Sequence, residues 1–114
     1  MVNQLLAMAR AEDRGQTAAR QTVNLARLAT EAVRDFVPHA LDKRIDLGYE
    51  GPAAGDRPPL VTGQPLMLRE LIRNLVDNAL QYTPSGGTVT VRVVSDPFGQ
   101  VVVLQVEDNG PGIP

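Results

Sequence analysis

Residues 66–84 read LMLRELIRNLVDNALQYTP, and two patterns run through them at once. Leu68, Leu71, Ile72, Leu75, Val76 and Ala79 recur at the three-and-four spacing of an amphipathic helix, so one face of this stretch must pack against something. The spacing predicts a helix from Leu66 to Tyr82, stopped by Thr83-Pro84-Ser85-Gly86-Gly87. Glu70, Asn74 and Asn78 fall four residues apart and stack on one side, which Gln81 and Tyr82 extend by a turn. Asparagine inside a helix costs about 0.5 kcal/mol relative to alanine, so two of them ask for a reason. One reason is chemical: amide oxygens can ligate a hard cation that is held mainly by substrate phosphates, with Glu70 orienting or accepting from a nearby water. The other is bland, an asparagine pair that faces solvent or caps a neighbouring backbone group. On this helix alone the bland reading is the better of the two.

Downstream, Thr88–Ser95 and Val101–Glu107 read as strands joined by Asp96-Pro97-Phe98-Gly99-Gln100, a hairpin. In the second strand Val102, Leu104 and Val106 share one face, and the same period places Asp108 on it. A carboxylate there is costly to bury without a hydrogen-bond donor, supplied by the protein or by a ligand such as the exocyclic amine of a purine. Asn109-Gly110-Pro111-Gly112-Ile113-Pro114 follows, with two glycines that let backbone approach a flat ring and prolines that stiffen the loop. By itself, Asp-Asn-Gly is better read as a plain turn signal.

Upstream, Asn24 is placed to cap a helix whose face is Leu25, Leu28, Ala29, Ala32, Phe36 and Ala40, and Pro38 should kink or interrupt it. Arg44–Tyr49 is a candidate strand, residues 51–59 are a loop rich in glycine and proline, and Leu60–Thr62 is a short extended piece. A short strand is expected around Arg20–Val23, after a break at Arg14-Gly15-Gln16. Val2, Leu5, Leu6 and Ala9 have helical spacing and are expected to be the last turns of a longer helix whose beginning is missing. Helices alternating with strand pairs predict a two-layer α/β sandwich, a mixed sheet with helices on one face.

The composition is that of a globular chain of one domain: 114 residues, 43% hydrophobic, 21% charged. A net charge of −2, scattered basic residues and no tryptophan exclude the basic, aromatic surface of a nucleic-acid binder. The absence of cysteine removes disulfides and thiolate metal sites. No apolar run approaches the roughly 20 residues that span a bilayer, and the start lacks the features of a signal peptide.

Together, two segments resemble a known family. Residues Glu70 to Pro84 resemble the N box of sensor histidine kinases, and Val106 to Pro114 resembles their first glycine box, in the right order with a hairpin between. Gln4 to Glu12 is similar to the end of the family's dimerisation hairpin, which would assign residues 1–13 to that hairpin and 14–114 to the front of the ATPase domain. The resemblance implies the incomplete Bergerat-type fold shared by gyrase, Hsp90, histidine kinases and mismatch-repair ATPases, with ATP and Mg²⁺ as ligands. By position it makes Asn78 the main Mg²⁺ ligand with Asn74 assisting, sets Asp108 on the adenine amino group, and lets Gly110 and Gly112 shape the adenine loop. Tyr82 would pack near the nucleotide, Glu70 is the N-box acid, and Gln81 stands where the family often has a cation, giving no charge compensation there.

The resemblance further implies a parent that autophosphorylates a histidine and passes the phosphate to a response regulator, as the cytoplasmic portion of an inner-membrane sensor protein. The motif His-Glu-x-x-x-Pro, the ATP lid and the second glycine box are absent from these residues, so the chain alone is expected to lack kinase activity. His39 is expected to be a surface or packing residue. Unpaired sheet edges and the dimerisation helix predict a homodimer, formed by strand or helix exchange. A non-catalytic dimerisation or regulatory module, or another ATPase of the same fold, are the alternatives, and the Asn-Ala-x-x-Tyr-Thr-Pro ending favours the kinase over the latter.

Overall fold

Alternation in the last two strands builds the sheet. In the computed structural model, which describes residues 3–10, 21–52, 57–96, 98 and 101–109, the elements run β1 (Asn3–Ala9), β2 (Gln21–Asn24), α1 (Leu25–Asp42), β3 (Asp46–Glu50), β4 (Leu60–Gly63), α2 (Pro65–Tyr82), β5 (Thr88–Ser95) and β6 (Val101–Asn109). Val89, Val91 and Val93 of β5 and Val102, Leu104 and Val106 of β6 are buried, while the intervening residues are not. One face of the hairpin therefore makes the core, against Leu25, Ala29 and Ala32 of α1 and Leu68, Ile72, Val76 and Leu80 of α2.

The main sheet has the order β1-β6-β5-β3. The β5–β6 hairpin and the β1–β6 pair are antiparallel, whereas β3 runs parallel to β5 because the chain crosses over through β4 and α2 between them. β2 and β4 form a separate antiparallel pair, and Arg10 bridges from the end of β1 to Val61 of β4. The mixed sheet with helices packed on one face is the sandwich that the element order predicts.

The two helices lie side by side in the same direction, since Asp35 of α1 sits by Arg69 and Arg73 while Lys43 reaches the far end of α2. Arg73 reaches Asp35 Oδ2 at 2.7 Å and lies 5.2 Å from the centre of the Phe36 ring. Asn24 caps α1 as expected, its Oδ1 accepting from the Arg27 N–H at 3.2 Å.

Three expectations change. Residues 3–9 form a strand, not the end of a helix. The outer edge of β6 offers these residues a complete ladder of hydrogen bonds. Laid there, Leu6 and Met8 turn toward the core, and Leu5 is left 65% exposed. Pro38 does not interrupt α1, which runs through it to Asp42. The carbonyl of Arg34 loses its helical donor there, but both residues are exposed and water can satisfy it.

The strand expected from Arg44 begins two residues later, at Asp46, because Lys43 and Arg44 are used to end the helix. Arg44 takes φ 59°, while Ile45 N–H donates to Ala40 O at 2.8 Å and Arg44 N–H to Leu41 O at 3.0 Å. This is a Schellman ending with arginine in the left-handed position that glycine usually fills.

Candidate functional site

α2 ends beside the open end of the hairpin. Thr83 N–H still donates to Ala79 O at 3.0 Å, and then Pro84 to Gly87 turn the chain directly into β5. Gly86 has φ 92°, a conformation that side chains resist, and a β-carbon on Gly87 would collide with Thr83 Cγ2 and come within 3.2 Å of Asn109 O. The turn is thus wedged between the end of α2 and the end of β6. Because Thr88 pairs with Asn109 and Val89 with Asp108, this junction is also where Asp108 lies.

Asp108 is 4% exposed and continues the buried face of β6, as its place in the alternation predicts. Among the described residues only Thr83 and Asp108 are buried polar or charged ones, and both belong to this junction. Among the described residues, the Oγ1 of Thr83 has no hydrogen-bond partner. Sequence reasoning passed over Thr83 as a helix stop; its burial depends on Gly87 folding back over it, which no local pattern announces.

The polar stripe of α2 is where helical periodicity puts it. Glu70, Asn74, Asn78 and Tyr82 follow one another at intervals of four, and all four are exposed, Tyr82 at 71%. Gln81 is exposed too, but its amide donates to Asp77 Oδ2 at 3.2 Å, a bond along the helix surface. The donors on this stripe are hard oxygens, two amide carbonyls and one carboxylate, which suit Mg²⁺ when phosphates supply its other ligands. Gly110 and Gly112 lie outside the described residues. His39 is exposed at the end of α1, its ring centre 6.3 Å from that of Phe36.

Lys43 was also missed. As the C-cap residue of α1 it extends its ammonium to the last carbonyls of α2, donating to Leu80 O and, at 3.4 Å each, to Gln81 O and Thr83 O. A cation near a helix C-terminus is a familiar signal, but here the helix served is a different one, 37 residues away in sequence.

Residues 63–114, which hold α2, β5 and β6, match the family described as "Histidine kinase-, DNA gyrase B-, and HSP90-like ATPase". The sensor protein kinase PmrB of Pseudomonas aeruginosa is 37% identical over 99% of this chain. The chain spans only 22% of that relative's length. Among solved structures, the catalytic domain of histidine kinase ThkA superposes with a TM-score of 0.66 at 26% identity, covering 83% of this chain and 61% of that one. A structure of ThkA in complex with response regulator protein TrrA matches at 0.66 and 25% identity, over 83% of this chain and 27% of the other. Residues 63–114 belong to the histidine kinase-, DNA gyrase B- and HSP90-like ATPases, and the chain is similar throughout to sensor kinases in sequence and to a histidine kinase catalytic domain in fold.

Proposed function

We propose that this chain is the nucleotide-binding part of a sensor histidine kinase, a protein that uses ATP to phosphorylate a histidine and hands the phosphate to a response regulator. The observation that carries the reading is the placement of a buried carboxylate, Asp108, at the junction where the exposed amide stripe of α2 ends. Asp108 accepts from the amino group of adenine, and a carboxylate shielded from water discriminates well for such a donor. Asn78 is the main protein ligand of Mg²⁺ and Asn74 assists; the metal, when bound, neutralises phosphate charge. Tyr82 and Gln81 lie along the nucleotide, Gly110 and Gly112 admit the ring, and Glu70 polarises the reacting groups.

The rest of the assignment belongs to the same proposal. It makes residues 1–13 the end of a dimerisation hairpin and 14–114 the front of the ATPase domain, in a homodimer on the cytoplasmic side of an inner membrane. None of the described helices is long and apolar enough to cross a membrane. The strand at residues 3–9 pairs into the main sheet, so the proposal requires that this segment change partner when a dimerisation helix forms.

Titration of the chain with a fluorescent adenine nucleotide tests the reading. Mg²⁺-dependent binding is expected, weakened at least about tenfold by Asn78→Ala and by Asp108→Asn, the loss of one buried or metal-linked polar contact. A folded chain that ignores the nucleotide with or without Mg²⁺ overturns the reading and favours a non-catalytic module.

A further inference from the structure

We infer that Lys43 is a positioning residue for the nucleotide site, clamping the C-terminal end of α2 onto the end of α1. The inference rests on the nucleotide reading above, and it concerns a residue that reaches the stripe only through the backbone carbonyl of Gln81. Its ammonium donates to three carbonyls, those of Leu80, Gln81 and Thr83. Carbonyls at a helix end have no partner within the helix and carry the negative end of its dipole, so a half-buried cation is well matched to them.

The clamp is continued by backbone in the residues that follow Lys43. Gly86 N–H donates to Arg44 O at 2.9 Å, and Asp46 N–H donates to Gly87 O at 3.0 Å. Arg44 takes φ 59° in the same turn, a left-handed conformation that is unfavourable for a residue with a side chain, and the neighbouring bonds offset it. One connected belt thus runs from Lys43–Asp46 through Leu80–Gly87 to Asn109, next to Asp108. Asn78 lies within one turn of Leu80, and Tyr82 lies between two of the clamped carbonyls. Both therefore depend on the clamp for their place relative to Asp108. Positioning errors of about 1 Å in a site can cost on the order of a hundredfold, so a tether on the supporting backbone matters without touching ligand.

Lys43 is the only lysine of the sequence, which gives the test a clean signal. In the chain labelled with ¹⁵N-lysine, the single ammonium resonance should be slowed in exchange, and it should shift when Mg²⁺ and ADP are added. Lys43→Met should raise the nucleotide Kd about tenfold, and Lys43→Arg, which keeps a multivalent cationic donor, should restore most of the affinity. Val61→Ala, a buried substitution away from the belt, serves as the stability control. If Lys43→Met binds as tightly as the unaltered chain, or loses no more than Val61→Ala at equal loss of stability, the inference is overturned while Asn78→Ala and Asp108→Asn still report on the site. If arginine fails to restore affinity, the clamp is likewise overturned. If the unaltered chain binds no nucleotide, the functional reading falls and takes this inference with it.

Discussion

Tyr49 places its hydroxyl 3.2 Å from Pro52 O, to which it donates, and burial raises its pKa above the ordinary 10.0. The folded chain therefore holds the phenol proton more tightly than the unfolded chain does. The stability this group contributes is complete below pH 10 and is lost as pH rises through the higher folded value. The melting temperature should fall as pH rises above about 10, and Tyr49→Phe should make that fall shallower. Identical alkaline slopes for the two chains would contradict the assignment. At the same scale, the cost of Asn74 and Asn78 in a helix is visible in their exposure: neither contributes to the core, so packing gives no reason for the residue type. Asp108 is the opposite case, a charge carried on an apolar face by strict strand alternation.

Among the elements, β1 has the most divided character. Its sequence satisfies helical spacing through Leu5, Leu6 and Ala9, and equally a period of two through Gln4, Leu6 and Met8, so the partner decides. β6 is that partner, paired on one side by β5 and on the other by β1 over seven residues. Leu6→Asp would drive a carboxylate toward the core and detach β1, exposing the backbone of β6. The expected result is a rise in molar mass by light scattering at moderate concentration; a mass unchanged from that of the unaltered chain would show that β1 does not guard this edge. α1 and α2 have no such ambiguity, because 18 residues each of consistent period leave one face to bury.

For the whole molecule, cohesion comes from a single cluster in which both strands of the hairpin face both helices. Leu104 is fully buried in the middle of β6 and contributes to it from one of the two inner strands of the main sheet. Leu104→Ala should cost about 2–5 kcal/mol, measured by denaturant unfolding, which is a large part of what a domain of this size has. A cost under 1 kcal/mol would mean that the core is not the shared one described here. The surface pairs Arg27–Glu31 and Arg92–Glu50 are solvated and add little by comparison.

The sequence by itself determined both helices, the hairpin, the place of Asp108 on a buried face and the stacking of Glu70, Asn74, Asn78 and Tyr82. Each follows from periodicity, which is a property of neighbours along the chain. Only the tertiary structure decided that residues 3–9 are a strand, that Pro38 is carried within a helix, that Thr83 is buried, and that Lys43 closes the end of α2. These depend on which edge, helix end or turn arrives from elsewhere. A hydrogen bond between residues 37 apart leaves no periodic trace for local patterns to reveal.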